Sequence, residues 1–194
     1  MKNFLFPCSL LLVLVPALQS CHVKKDHSAE IRTLDSLSSL VETKSKALQM
    51  VLSEPPLIIA DSIDAHLKYV QDNFVGSMYT QMATELSHYN SLRKNMVYLD
   101  AAVIQQQAMA ETSKKQLSGL RQALSENATH DAVHNPMTDQ YVQKSVADEV
   151  NRASAIIGEI DGLTSELKLI KADYSKTYGT VKLWVDSIPE ITKK

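Results

Sequence analysis

Apolar side chains recur at every third or fourth position through most of this chain, a spacing that places them on one face of an α-helix. Only four prolines follow residue 20, at positions 55, 56, 136 and 189, and the whole chain has five glycines. A strand-rich fold needs turn residues about every 8–12 positions. The pattern therefore predicts an all-α protein of long antiparallel helices, at about 28–53, 56–126 and 136–188.

The middle stretch shows the most regular pattern. From Tyr89 to Leu124 the apolar positions follow a seven-residue repeat of the kind found in coiled coils. The repeat weakens between Gln105 and Gln116, where Gln106 and Ser113 occupy positions that are otherwise apolar. This part of the chain is therefore expected to pack lengthwise against another helix.

The length of the middle stretch leaves two architectures open. An unbroken helix over 56–126 would be about 105 Å long at 1.5 Å per residue, which favours an elongated, coiled-coil-like helical hairpin with the other helices lying along it. A break near Asn90-Ser91 would instead give a more compact three- to four-helix bundle. A thin hairpin leaves part of its apolar seam uncovered, so the elongated form also predicts self-association or a partner.

The start of the chain has a different character. After Lys2, an apolar run extends from Phe4 to Leu18. Such a run of about 15 residues is shorter than the roughly 20 that a membrane-spanning helix needs, and is typical of an export signal. The segment Leu18-Gln19-Ser20-Cys21 resembles the lipobox of bacterial lipoproteins, with an aliphatic residue three before the cysteine and a small residue directly before it.

The resemblance to bacterial lipoproteins implies a specific processing of the N-terminus. Residues 1–20 would be removed, and Cys21 would carry a diacylglycerol and often a third acyl chain. Residues 21–27 then form a lipidated tether, followed by a single helical domain over 28–190. Cys8 follows Pro7 rather than a small residue, so it does not fit the motif. Because no cysteine remains to form a disulfide, packing alone must hold the fold.

Residues near the lipobox bear on location. His22, rather than an aspartate, follows the cysteine, which favours the outer membrane over the inner membrane. The following Lys24-Lys25-Asp26 matches poorly the surface-export signal of Bacteroidetes lipoproteins, so we expect a periplasm-facing protein. Three tripeptides resemble the O-glycosylation motif of that phylum, although Asp and Ser are also common helix caps; they are Asp35-Ser36-Leu37, Asp61-Ser62-Ile63 and Asp186-Ser187-Ile188.

Composition excludes several functions. Residues 21–194 carry 19 basic and 22 acidic side chains, a net charge of −3, and no basic block that would indicate a nucleic-acid partner. The sequence has no Gly-rich phosphate loop, metalloprotease helix motif or Gly-x-Ser-x-Gly elbow. We therefore expect neither an enzyme nor a cofactor.

Two groups of side chains are candidate sites. His130 and His134 are four residues apart, a spacing that could present both to a metal on a helix, but they fall in the predicted inter-helix loop, where a solvated loop is the expected alternative. Tyr174, Tyr178 and Trp184 give the end of the last helix an aromatic surface. These rings either pack in the core or form an interaction patch, since Tyr and Trp are enriched at interfaces.

These features predict a non-enzymatic, lipid-anchored helical protein that acts as a structural or scaffolding subunit of a cell-envelope assembly. Small periplasmic lipoproteins serve in this way in secretion-system membrane complexes, including type VI systems. The expected partners are the membrane, through the lipid anchor, and either another protein or a second copy of the chain. The alternative is a helical-bundle lipoprotein that binds a small ligand or a metal between its helices.

Overall fold

The computed structural model describes the backbone of residues 25–191 and the side chains of residues 25–188. This part of the chain contains four helices and no strand: α1 (Ser28–Val51), α2 (Pro56–Asn73), α3 (Thr80–Ser125) and α4 (Asp139–Ile191). The all-α prediction is confirmed. The lipobox residues Leu18, Ser20 and Cys21 lie outside the described residues.

The four helices form a bundle whose cross-section contains three helices at any point along its length. The two longest helices, α3 and α4, form an antiparallel hairpin, and α1 and α2 follow one another along its length. We call the α1–α2 succession the first leg and the whole assembly the rod. Because α4 has 53 residues, the rod is about 80 Å long at 1.5 Å per residue.

Ion pairs show the direction in which the first leg runs. Lys25 contacts Asp139, and Lys44 contacts Asp161, so α1 runs parallel to α4. Against α3 the order reverses, with α1 paired through Asp35–Arg121 and α2 through Asp64–Arg93. Most of these groups are exposed, so each pair contributes less than about 1 kcal/mol, and burial of apolar side chains stabilises the bundle.

Two stacked groups of buried side chains form the core. The base cluster joins α1 to the C-terminal half of α3 and the N-terminal half of α4. The tip cluster joins α2 to the N-terminal half of α3 and the C-terminal half of α4. In the first leg, the base cluster is formed by Leu34, Val41 and Leu48, spaced seven residues apart, and the tip cluster by Ile59, Ile63 and Val70.

The structure corrects the predicted middle helix. The range 56–126 is not one helix but is divided by residues 74–79, and the proposed alternative break at Asn90-Ser91 lies inside α3. The break contains Gly76, whose φ of 130° is strongly disfavoured for residues with a side chain. Glycine and serine both weaken a helix, so the Gly76-Ser77 pair is the sequence signal for the break.

The division also changes what covers the hairpin. The expected thin hairpin with an exposed seam is wrong, because the first leg packs along both α3 and α4. The repeat that begins at Tyr89 is buried down the length of α3, including Gln106 and Ser113. The Gln106 amide donates a hydrogen bond to the backbone carbonyl of Ile156, 3.3 Å away, which satisfies a polar group inside the seam.

A lysine of α4 contacts the joint of the first leg, residues 52–55 between α1 and α2. Lys171 Nζ donates hydrogen bonds to the backbone carbonyls of Val51 at 2.7 Å and Glu54 at 2.6 Å. Pro56 occupies the first turn of α2, where its missing N–H costs no hydrogen bond. The Lys171 contacts therefore satisfy carbonyls at the end of α1 and fix the joint to the hairpin.

The outer boundaries differ by a few residues from the predicted ones. The last helix begins at Asp139 rather than 136 and ends at Ile191, beyond Pro189. The backbone from 127 to 138 instead forms a folded loop, in which Asn127 and His134 have positive φ angles of 52° and 66°. Asn135-Pro136 therefore lies in this loop and not at the helix start.

Candidate functional site

One end of the rod, which we call the base, is where the described chain begins. Lys25 Nζ lies 2.6 Å from Asp139 Oδ1, so the first described residues, 25–27, lie against the start of α4. A groove of about 720 Å³ separates them from the loop and is lined by Lys25, His27, Thr129 and Met137 among others.

Asp131 organises the 127–138 loop at the base. Its Oδ1 accepts hydrogen bonds from the backbone N–H groups of Val133 and Asn135 at 2.9 and 2.8 Å. Its Oδ2 accepts from the Tyr141 hydroxyl at 2.5 Å and the Asn135 amide at 2.9 Å. These donors, Tyr141 first, hold the pKa of Asp131 well below its usual range. The loop is therefore a built structure rather than a loose connection.

The structure places His130 and His134 in this loop, both exposed to solvent. His130 Nδ1 lies 3.0 Å from the hydroxyl of its neighbour Thr129. Between residues 25 and 191, no group of three or more His, Cys, Asp or Glu side chains is arranged to hold a metal. The helical geometry that would put both imidazoles on one face is not formed here, because these residues are not in a helix.

Aromatic side chains from three helices meet in the tip cluster. Tyr89 of α3 is fully buried and stacks on Tyr174 of α4 at a ring-centroid distance of 6.1 Å. Tyr174 contacts Tyr178, which in turn contacts His66 of α2 at 5.4 Å. His66 Nδ1 lies 3.1 Å from the Tyr89 hydroxyl. This aromatic layer fastens α2 to the hairpin, and it brings together two of the residues predicted as an interaction patch.

Burial gives the aromatic layer a dependence on pH. Burial raises the pKa of Tyr89 above 10 and lowers the pKa of His66 below 6.5. The nearby Lys182 also lowers the pKa of His66, whereas Asp186 raises it. The folded protein therefore favours a neutral His66, whereas the unfolded chain binds its proton near pH 6.5. The contribution of His66 to the free energy of unfolding is therefore fully present above pH 6.5. It is lost as the pH falls toward the lowered pKa of His66 in the folded protein.

We expect the free energy of unfolding to fall between pH 7 and pH 5.5, and His66→Gln to reduce that fall. The expected difference is below about 1 kcal/mol because the ring is partly solvated. Urea unfolding across this pH range measures it. His134→Gln, at an exposed position, is the control and should retain the wild-type slope. An unchanged slope in His66→Gln would contradict this role.

The opposite end of the rod, which we call the tip, exposes apolar side chains. The Trp184 ring meets the Tyr79 ring edge-on at a centroid distance of 6.4 Å. Tyr79 remains 56% exposed. Leu183 of α4 and Val75 of the 74–79 segment are 70% and 79% exposed. Trp184 itself is half-buried against the tip cluster.

The structure therefore divides the predicted aromatic surface. Tyr174 and Tyr178 lie in the aromatic layer, while Trp184 lies beyond them with Tyr79. Val75, Tyr79 and Leu183 were not among the predicted site residues, and Met78 lies in the break rather than in the helix predicted over 56–126 and is 40% exposed. For Val75, Met78 and Tyr79 the sequence signal is again Gly76-Ser77, since a break there turns the neighbouring apolar residues into loop residues.

Comparisons with known proteins provide no relative: no family model, curated protein or solved structure matches the chain. Among the described helices, none combines the length and apolar character that crossing a bilayer requires.

Proposed function

We propose that this chain is a lipid-anchored scaffold of the cell envelope, without enzymatic activity, that faces the periplasm from the outer membrane. Lipid on Cys21 holds the base of the rod at the bilayer, and the tip binds a protein of a larger assembly. A secretion-system membrane complex, of the type VI kind, is the assembly that this role suits best.

The observation that carries this proposal is the separation of the two ends. The described chain begins at the base, whereas exposed apolar side chains of the 74–79 segment and of Leu183 lie at the tip. Asp139 and Trp184 are 45 residues apart on α4, which corresponds to about 68 Å. A rigid rod of this length keeps a partner at a fixed distance from the membrane surface.

The character of the tip supports a protein as its partner. Interfaces are enriched in aromatic residues and methionine and depleted in charge at their centre. The tip offers Val75, Met78, Tyr79 and Leu183 with large exposed surfaces. Apolar contacts of this kind provide binding energy, whereas the exposed ion pairs along the rod provide little.

A photo-cross-linking amino acid at Leu183 tests this use of the tip. We expect a discrete cross-linked product with an envelope protein in intact cells. Leu183 suits the probe better than Trp184, because the Trp184 ring also packs in the tip cluster. Mass spectrometry of the product identifies the partner.

Leu169 is the matched control. It is 72% exposed, against 70% for Leu183, and lies 14 residues earlier on α4, on nearly the same side and about 21 Å closer to the base. Equal cross-linking at both positions, or none at Leu183, would show that the tip is not a docking surface.

A further inference from the structure

The outward face of α3 carries a second apolar pattern, separate from the buried one. The buried side chains of this region are Met96, Leu99, Val103, Gln106 and Ala110. On the opposite side lie four exposed residues with alternating spacings of four and three, which we call the outer stripe: Val97, Ala101, Ile104 and Ala108. Val97 is 45% exposed and Ile104 is 62% exposed.

The outer stripe has the alternating four- and three-residue spacing of a coiled-coil seam. Ala101 and Ala108 occupy the a positions of a heptad, and Val97 and Ile104 occupy the d positions. Alanine permits close approach of two helices, and the branched side chains pack beside it. Tyr98, which flanks the stripe, is 68% exposed and adds contact area.

The charge around the outer stripe favours an identical partner. Between Lys94 and Glu111 the only charged residue of α3 is Asp100. Pairing two copies therefore places few like charges together, whereas the exposed surface of α4 at the same height carries Glu159 and Glu166 besides Asp161, which pairs with Lys44. A second copy of the chain is therefore repelled less by the outward face of α3 than by the exposed surface of α4.

We infer that two copies of this chain pair side by side and in parallel through the outer stripe. The inference rests on the proposed anchoring, because lipid at the same end of every copy gives all rods one orientation and places their stripes at one height. Four stripe residues and their neighbours are fewer than the roughly 20–30 residues a side of a stable interface. Confinement to a membrane supplies the high effective concentration that such a small contact needs.

A disulfide cross-link tests the inference in the full-length protein in its membrane. In-register parallel pairing brings the two copies of residue 101 within disulfide range, a Cα separation below about 7 Å. We expect Ala101→Cys to give a covalent homodimer on mild oxidation, at least five-fold more than Ala155→Cys. Ala155 is an exposed alanine of α4 that lies about 9 Å closer to the base than Ala101, because its neighbour Ile156 accepts a hydrogen bond from Gln106 of α3.

A second variant separates pairing from folding. Ile104→Lys, added to Ala101→Cys, places a charge in the stripe at a position that is 62% exposed, so helicity by circular dichroism should be unchanged while the homodimer is lost. Persistence of the homodimer in this double variant overturns the assignment to the stripe. Equal cross-linking of Ala101→Cys and Ala155→Cys indicates random collision and overturns it as well.

Lipid labelling and membrane fractionation of the same samples distinguish failure of the pairing from failure of the anchor. A labelled, membrane-bound protein without the homodimer overturns the pairing and leaves the anchor intact. A specific homodimer of an unlabelled, soluble protein supports the pairing and overturns the anchor. Absence of both overturns both, and cross-linking of residue 101 to a different protein overturns the choice of a second copy as the partner.

Discussion

Replacing Cys21 by serine is expected to abolish lipid labelling and move nearly all of the protein from the membrane fraction to the soluble fraction. Two or more acyl chains hold a protein firmly on a bilayer, whereas without them only weak surface contacts remain. Growth with labelled palmitate, followed by fractionation, measures both effects.

Cys8→Ser is the matched control for this experiment. Cys8 lies within the apolar run of the predicted signal and follows Pro7, so its loss should change neither labelling nor fractionation. If Cys21→Ser still carries lipid and stays with the membrane, the interpretation of Leu18-Gln19-Ser20-Cys21 as a lipobox is wrong. If Cys8→Ser loses the label and Cys21→Ser keeps it, the lipid is attached to Cys8.

Truncation of the central aromatic side chain should produce the largest loss of stability. Tyr89 is 0% exposed and contacts His66 and Tyr174, so Tyr89→Ala removes buried area and leaves a cavity between three helices. Substitutions of this kind cost about 3–5 kcal/mol. For a chain of this size that corresponds to a fall in Tm of roughly 10 °C, measured by circular dichroism.

Two further variants define which part of Tyr89 matters. Tyr89→Phe keeps the ring and loses only the hydroxyl near His66, at a cost of about 1 kcal/mol. Tyr98→Ala removes a tyrosine from the same helix that is 68% exposed, and should change stability by less than about 0.5 kcal/mol. A Tyr89→Ala protein as stable as Tyr98→Ala would show that the tip cluster can close around the missing ring.

Periodicity was sufficient to predict the all-α fold and the buried side of α3 from Tyr89 onward. The repeat from Tyr89 to Leu124 corresponds to buried positions, and even the polar Gln106 and Ser113 follow it. The cause is helix geometry. Every position of the repeat lies on the same side of the helix, so polar residues at these positions are buried together with their apolar neighbours. Gln106 satisfies its amide there through the carbonyl of Ile156.

The way in which the helices combine could not be obtained from periodicity. An apolar pattern continues across residues 74–79, and it does not distinguish a continuous helix from two helices with a break at Gly76. Whether α2 extends α3 or turns back along it depends on that one joint. The same limitation applied to Trp184, because its sequence position near the chain end did not indicate that it would meet Tyr79 from the break.

The aromatic layer illustrates a different limitation. His66, Tyr89 and Tyr174 are far apart in sequence, and each alone resembles an ordinary helix residue. Their meeting requires the register of three helices, which is set by packing of the whole tip cluster. For the same reason, the outer stripe could be recognised only after the structure showed which side of α3 is buried.

The divided first leg determines how the rod would bear mechanical load. A pull between the base and the tip acts along the axis of α1, so it loads the packing of Leu34, Val41 and Leu48 in shear and all three contacts resist together. Residues 52–55 transmit the same force to α2. The two hydrogen bonds from Lys171 hold these residues against α4. Because Lys171 bonds carbonyls on both sides of Leu52 and Ser53, stretching this joint requires the loss of at least one of these hydrogen bonds.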